Sequence, residues 1–222
     1  MDRTHIVKLG EHVSRIAKQY GFSDYRTIWE HGPNAELRRK RDNPNVLFPG
    51  DRLLVPEKAL KEEPRPTDKR HRFRVRRPTL RLRIVLQDLA RKAIAGAQCE
   101  LRVESEGGQF TTDGEGLLQR EIAPDAENGV LLVKAPAPAA EAMPLPVPVR
   151  IGHLHPVDEV SGQKARLNNL GYFAGPVEGR SDQDNKELFL SAIEEFQCDH
   201  DLLVDGKCGP RTQAKLKQVH GS

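Results

Sequence analysis

Residues 202–212 read LLVDGKCGPRT, a turn-forming stretch set between two segments whose apolar residues recur at helical spacing. Asp205-Gly206 is a typical turn dipeptide, and Pro210 is placed to begin a helix, because a proline in the first turn removes no intrahelical hydrogen bond. Three helices are marked by Ala165, Leu167 and Leu170, by Leu188, Ala192, Ile193 and Phe196, and by Ala214 and Leu216. We therefore predict a three-helix bundle over residues 157–222.

The same region carries three motifs in order: RLNNLGYF at 166–173, FQ at 196–197 and LxVDGxxGPxT at 202–212. With these motifs it resembles the three-helix peptidoglycan-binding domain found attached to cell-wall hydrolases. The resemblance implies peptidoglycan binding through Tyr172, Phe173, Asp205 and Gly206. For Asp205 and Gly206 a structural role in the turn between two helices is the stronger alternative.

Cys198 and Cys208 lie at the end of the second predicted helix and in the turn before the third. They could form a disulfide that stabilises the small module, or they could remain thiols. His200 between them suggests a zinc site, but two thiols and one imidazole are too few ligands for a structural zinc ion. We expect a disulfide or two thiols here, and no metal.

Outward from this bundle, the N-terminal residues 1–56 predict a βααβ module. HIVKL alternates as a strand, Val13, Ile16, Ala17 and Tyr20 recur on one helix face, and residues 25–31 form a second short helix. After a polar stretch, Pro49-Gly50-Asp51 makes a turn into a closing strand at Leu53–Val55. About fifty residues are too few to enclose a deep pocket.

This module resembles a LysM domain through VxxG at 7–10, VxxIA at 13–17 and PGDxLxVP at 49–56. The resemblance implies binding of GlcNAc-containing glycans, chiefly peptidoglycan or chitin, in a shallow groove between two loops. The groove residues it implies are Gly10, Glu11, His12, Val13, Asn45, Val46 and Leu47. Glu11-His12 replaces the usual Asp-Thr or Asp-Ser, and HGPNAELRRKRDNPN enlarges a loop. These departures favour a protein-docking role, and His12 could equally be a surface histidine at a helix start.

The middle residues 72–156 alternate with the period of strands. Turn signals at Gly107-Gly108 and Asp113-Gly114 separate the alternating segments, which are Phe73 and Val75, Leu80–Leu86, Ala97–Val103 and Val130–Val133. This pattern predicts an antiparallel β-sandwich. AIAGAxxEL at 93–101 and TTDxxGL at 111–117 resemble the carboxypeptidase-regulatory or transthyretin-like family, which implies a spacer module without chemistry. Cys99 falls on the apolar face, and we expect a buried structural thiol there.

Two features beside the sandwich complete this region. The proline-rich residues 135–149 are either a linker or the approach to a last edge strand at VRIGHL, since proline is tolerated at sheet edges. His153 and His155 form an HxH pair, but the sequence offers no further ligands, and we expect no metal site.

Composition agrees with several small modules. The chain has 222 residues, 37% hydrophobic and 30% charged, with 16 prolines, which is polar for one compact core. Residues 57–71 read as a charged linker, and residues 57–81 carry ten Lys/Arg and four Asp/Glu. That basic segment is either solvated or touches an anionic partner, and without interleaved aromatic residues we do not expect nucleic-acid binding. No apolar stretch is long enough to predict membrane insertion, and MDRTHIVKLGEHV does not predict a secretory signal.

The fold class predicted is a multidomain α+β protein with a βααβ module, an antiparallel β-sandwich and a three-helix bundle. The sequence contains no GxSxG, zincin or phosphate-loop motif, so we expect neither an enzyme nor a cofactor. We interpret the chain as a non-catalytic peptidoglycan-binding protein, with avidity from two weak sites. The alternative is a structural or adaptor component of a contractile injection system, such as type VI secretion or a phage-like tail, docking on a spike or cap protein. We expect cytoplasmic synthesis, with delivery to the periplasm or cell wall by such a system.

Overall fold

The computed structural model describes residues 2–58, 64–72, 79–88, 90–104, 106–134, 144–178 and 183–222. Within them the chain is a mixed α+β protein with antiparallel strand pairing, and it divides into two units. The first unit comprises Met1–Asn45 and Pro49–Gly152, and the second comprises Val46–Phe48 and His153–Ser222. The finer division into three modules remains a prediction.

The N-terminal part of the first unit has two strands that enclose short helices. The elements are β1 Arg3–Ile6, α1 Val13–Gln19, α2 Arg26–Trp29, a 3₁₀ turn Gly32–Asn34, α3 Ala35–Lys40 and β2 Arg52–Val55. β1 and β2 pair antiparallel with Arg3 opposite Val55. The two strands and the two predicted helices occur in the predicted order, but a 3₁₀ turn and a third helix, α3, lie between α2 and β2. These elements lie in the polar segment 31–45, which the sequence indicated only as an enlarged loop.

The middle of the first unit contains two antiparallel sheets. Its strands are β3 Leu80–Val85, β4 Gln98–Val103, β5 Glu106–Thr111, β6 Leu117–Ile122, β7 Asn128–Val133 and β8 Leu145–Arg150. β3 pairs with β6, and the other four follow the order β5-β4-β7-β8. Both sheets contribute to one apolar cluster that includes Cys99, Leu101, Leu118 and Leu131, so the predicted sandwich is confirmed.

Of the two turns predicted in this region, one is wrong and one is confirmed. The turn predicted at Gly107-Gly108 is wrong: both glycines lie inside β5, and the backbone turns at Glu104, whose φ is +49°. The turn at Asp113-Gly114 is confirmed by the Gly116 N–H, which donates to the Asp113 carbonyl at 3.1 Å. The strand expected at Phe73 and Val75 lies outside the described residues.

β8 is the edge strand and contains Pro146 and Pro148. It begins earlier than the predicted VRIGHL strand and ends at Arg150. The Ile151 N–H donates to the Glu127 carbonyl at 2.8 Å, so the odd-numbered amides on this strand point toward β7. The two prolines, at even positions, therefore present their nitrogens to the open edge, where no donor is needed.

The second unit contains α4 Val160–Asn169, α5 Gln183–Asp199 and α6 Pro210–His220, as the bundle prediction requires. Its apolar core comprises Leu167, Tyr172, Ala174, Ala192, Ile193, Phe196 and Leu216. Gly162 allows α4 to approach the preceding chain, because a Cβ there would collide with the Pro156 carbonyl. Among the described residues of the chain, no helix has the length and apolar character needed to cross a bilayer.

Candidate functional site

A buried glutamine organises the turn that precedes α6. Gln197 is 1% exposed, and its Oε1 accepts hydrogen bonds from the N–H groups of Asp205 and Gly206, both at 3.0 Å. Its Nε2 lies 2.9 Å from Asp205 Oδ1 and 3.1 Å from Thr212 Oγ1. Gly206 has φ +65°, and a side chain there would collide with Leu190. The FQ and DGxxGPxT motifs thus form one structural cluster, and the amides of Asp205 and Gly206 are used inside it.

The RLNNLGYF motif is likewise used for internal bonding. Arg166 is 1% exposed, and its Nη1 donates to the carbonyls of His155 at 2.7 Å and Gly162 at 2.8 Å. Asn168 accepts from the Ala174 N–H at 2.8 Å. These contacts close the end of α4 onto the following loop. The polar residues that define the motif therefore maintain the fold of the unit.

The structure corrects the expectation for one of the two adjacent aromatic residues. Tyr172 is 1% exposed, packs edge-on against Phe196 with ring centroids 5.4 Å apart, and donates from its hydroxyl to Asp199 at 3.1 Å. Its ring has no face to offer a glycan, because it completes the core. Phe173, by contrast, is 70% exposed.

Sequence reasoning missed two further exposed apolar side chains of this unit, Leu203 at 80% and Val204 at 51% exposure. Their signal is the run LLV in a polar turn: Leu202 packs against the core, which leaves its two neighbours outside. Val160, Leu190 and Val219 of the same unit are also exposed, at 56%, 45% and 38%, and Phe173 and Leu203 are the two most exposed of the described apolar residues.

All three cysteines are free thiols, so the bridge considered between Cys198 and Cys208 is not formed in this structure. Cys198 is exposed, whereas Cys208 is partly buried and burial raises its pKa to about 11. Cys99 is buried, as expected, and burial raises its pKa as well. Both of the covered thiols are therefore held in the unreactive protonated form.

In the first unit, Asn45 and the residue before it bond to the start of α1. The Val13 N–H donates to the Pro44 carbonyl at 3.0 Å, and the Ser14 hydroxyl donates to Asn45 Oδ1 at 3.1 Å. His12 caps α1 by accepting from the Arg15 N–H. Within the first unit, Pro44 and Asn45 thus lie against the start of α1.

The residues of this groove are covered rather than open. His12 is 1% exposed and Val13 is 0% exposed, while Gly10 is also buried. His12 is therefore not the surface histidine considered from the sequence; burial lowers its pKa to about 4. Glu11 is nearly buried, and its Oε2 accepts from His5 and from the Lys8 N–H, both at 2.8 Å. Neither side chain presents its polar atoms to a ligand.

The pKa of Glu11 reflects this environment. Burial raises it, but the hydrogen bonds from the Lys8 amide and from His5 outweigh burial and hold the pKa below the ordinary value. On its other side His5 contacts the Tyr20 hydroxyl at 3.2 Å. This Tyr-His-Glu chain connects β1 to the segments that flank the two ends of α1.

The remaining predicted groove residues, Val46 and Leu47, belong to the second unit and are 8% and 3% exposed. Next to them Phe48 packs edge-on against His155, with ring centroids 5.1 Å apart. His155 also contacts Ser161 Oγ at 2.7 Å. Among the described residues, no group of three or more His, Cys, Asp or Glu side chains is arranged to hold a metal ion.

A separate cleft of about 580 Å³ lies in the first unit. It is lined by Asp2, Arg3, Tyr20, Phe22, Val55, Pro56, Glu57 and Lys58. None of these residues belongs to the predicted groove, and no motif in the sequence indicated the cleft.

Comparison with known proteins bears on the second unit. No curated protein and no solved structure matches the chain. Residues 157–216, which span α4, α5 and most of α6, match the model of the family described as “Putative peptidoglycan binding domain”. The helical region of this chain is thus similar to the peptidoglycan-binding domains of that family.

Proposed function

We propose that this chain is a non-catalytic, multimodular peptidoglycan-binding protein in which the three-helix region makes the main contact with the cell wall. The observation that carries the proposal is the family match of residues 157–216. The polar motif residues of this region are engaged in internal hydrogen bonds. Binding therefore depends on the exposed surface around them.

Phe173 is the residue of that surface that we assign to the wall. It is 70% exposed although the tyrosine before it is buried. A phenyl ring offers a flat apolar face to the C–H groups of a sugar ring or to the methyl of an N-acetyl group. Burying such a side chain stabilises a complex by about 1.5–3 kcal/mol, which corresponds to at least about a tenfold change in affinity.

Co-sedimentation of the full chain with purified peptidoglycan sacculi tests this proposal. Phe173→Ala should weaken binding at least about tenfold. Val219→Ala removes another partly exposed apolar side chain of the same unit and should leave binding unchanged. Deleting residues 157–222 should abolish sedimentation. Undiminished binding by the chain that lacks 157–222 would refute the assignment of the wall contact to this region.

We also propose that the chain does not cleave the wall, because a binding domain supplies no catalytic group of its own. Incubation of sacculi with the purified protein should release no soluble muropeptides. Such release, detected by chromatography, would show an activity that the family of residues 157–216 does not explain.

For residues 1–56 we propose a weaker, LysM-like contact with GlcNAc-containing glycan. Two weak sites on one polymer would increase the overall affinity. Deletion of 1–56 would also remove Val46–Phe48, which belong to the second unit, so point variants are the better test.

A second candidate is an adaptor of a contractile injection system, in which the N-terminal region docks on a spike or cap protein that carries the chain out of the cytoplasm. The burial of Gly10–Val13 favours it, because a covered groove leaves the rest of that region for protein contacts. Cross-linking in cells, followed by mass spectrometry, should then connect residues 1–56 to a spike or cap protein. Cross-links to the wall fraction alone would contradict it.

A further inference from the structure

The turn that ends β8 lies against the loop Gly10–Val13. Gly152 has φ +81°, and a Cβ at this position would lie 2.6 Å from the Gly10 carbonyl oxygen and 3.1 Å from His12 Cδ2. A side chain cannot fit within such distances of a backbone oxygen, so only glycine permits the approach. The backbone at Gly152 therefore covers the start of the loop.

Two ion pairs join the same two parts of the first unit. Lys18 Nζ lies 2.6 Å from Asp125 Oδ1, and Arg15 pairs with Glu127. The Glu127 carbonyl also accepts the Ile151 N–H at 2.8 Å, which fixes the residue just before the covering glycine. The side chains of α1 thus hold the β6–β7 connection, and that connection holds the end of β8.

The covered loop is one of the two to which the LysM resemblance assigns glycan contacts. A glycan would have to contact the exposed atoms of this loop, yet His12 is 1% exposed and Val13 is fully buried. His12 Nε2 is also buried and has no hydrogen-bond partner among the described residues. Such an unsatisfied polar atom is costly in a purely structural contact, but it is available to bond a ligand once the cover moves away.

We propose that Gly10–Val13 is a glycan-binding loop held closed by Ile151-Gly152 of the same chain, with the Arg15–Glu127 and Lys18–Asp125 pairs as its latch. This inference rests on the proposed LysM-like function of residues 1–56. The ligand is an oligomer of N-acetylglucosamine, and it binds only the state in which the end of β8 has moved away from the loop.

The latch is weak enough to open. The paired side chains are partly exposed, between 28% and 49%, and ion pairs in such positions contribute little to stability. When the binding-competent state is a minority, the measured affinity is reduced by its population. Weakening the cover should therefore raise the affinity for the glycan, which is opposite to the usual effect of damaging a site.

The first test compares Gly152→Ala with Gly96→Ala in the full chain. Both glycines have positive φ, +81° and +69°, so both variants carry similar backbone strain, but nothing lies within 4 Å of a Cβ at Gly96. The probe is N-acetylchitohexaose, with binding followed by calorimetry and by NMR. Gly152→Ala should bind about tenfold more tightly than the wild type, and Gly96→Ala should bind like the wild type.

NMR titration of the His12 imidazole reports opening without any ligand. Its pKa is lowered to about 4 in the closed loop because the ring is buried. In Gly152→Ala it should rise toward the ordinary value of about 6.5, while in Gly96→Ala it should not change.

A charge swap tests the latch even if Gly152→Ala folds poorly. Lys18→Glu should raise the affinity for N-acetylchitohexaose about threefold, since one part-exposed ion pair is lost and a repulsion with Asp125 replaces it. Adding Asp125→Lys restores an ion pair and should return the affinity to that of the wild type.

Equal affinity in the wild type, Gly152→Ala and Lys18→Glu would overturn the proposal, because the cover would then have no effect. Absence of binding in every variant would overturn it too, by removing the glycan site. Sacculus sedimentation of the wild type, measured in parallel, depends on residues 157–222. Its loss would count against the proposed wall contact and not against the latch.

Discussion

Replacing Gln197 with leucine should lower the free energy of unfolding of the second unit by more than the loss of one hydrogen bond would. Leucine keeps a similar side-chain volume but lacks both polar atoms, so the turn before α6 loses every hydrogen bond of the Gln197 side chain. The control is Gln213→Leu, because Gln213 is partly buried and contacts Cys208 O at 2.9 Å through its amide nitrogen.

The magnitude follows from which partners water can reach. Asp205 is exposed, so its carboxylate and N–H can bond to water when Gln197 is lost. The Gly206 N–H is buried and loses its acceptor, while the buried Thr212 hydroxyl keeps only its 3.4 Å hydrogen bond to the Lys207 carbonyl. Leaving a buried polar group unsatisfied costs about 1–3 kcal/mol, so Gln197→Leu should cost about 3 kcal/mol and the control about 1 kcal/mol or less.

Urea unfolding of the full chain, followed by two signals, measures this difference. Far-ultraviolet circular dichroism reports mainly the long helices of the second unit, and Trp29, the single tryptophan, reports the first unit. With a denaturant slope of about 1 kcal/mol/M for so small a unit, the dichroism midpoint should fall by about 3 M. The Trp29 transition should not move. A midpoint shift no larger than that of Gln213→Leu would refute the view that Gln197 organises the turn.

Three further predictions concern the same unit and the thiols. In the native chain Cys198 should react quickly with a thiol reagent, while Cys99 and Cys208 react slowly because burial raises their pKa values; equal rates, measured by absorbance, would contradict this. Burial lowers the pKa of His220 to about 4, below the value of about 6.5 in an unfolded chain, so the unfolded state takes up the proton first and stability falls as the pH drops between these values. From pH 7 to pH 5 the free energy of unfolding of the second unit should decrease by about 2 kcal/mol more in the wild type than in His220→Asn, as measured in urea at both pH values. An isolated fragment of residues 157–222 should give a helical circular dichroism spectrum and a cooperative melt, because the residues of its core all lie within it; a disordered spectrum would show that it needs the rest of the chain.

The bundle could be predicted from the sequence because its information is local. Apolar residues of α4, α5 and α6 recur at helical spacing, and Pro210 and Gly221 mark the two ends of α6. The sandwich was predictable for the same reason, since strand alternation needs no knowledge of distant residues. In each of these helices and strands, the buried face is the one on which the apolar residues recur.

α3 could not be predicted, because its stability comes from distant partners. Its sequence AELRRK has one buried apolar residue, Leu37, and no helical stripe. The preceding Asn34 is buried and donates to the carbonyls of Ile28 and Leu54. The following Arg41 forms a buried pair with Asp51, with Nε 2.9 Å from Oδ2. Contacts between separate parts of the chain thus turn a polar stretch into ordered structure.

The candidate site shows the same limit. Tyr172 and Phe173 are adjacent aromatic residues in the sequence, which does not show which of the two rings is buried. Packing in the folded unit decides this. The cover over Gly10–Val13 involves Gly152, far away in sequence and in no motif. A loop motif indicates which residues could bind a ligand, whereas its accessibility depends on the fold around it.

The prolines of β8 have a consequence for how this protein behaves at high concentration. An open sheet edge is a template on which another chain can add a strand, through a regular row of N–H and C=O groups. At Pro146 and Pro148 that row lacks its N–H donors, so an incoming strand would find two consecutive outward positions that cannot donate a hydrogen bond. The sandwich should therefore resist growth into fibrils from this side, even when many copies gather along one polymer.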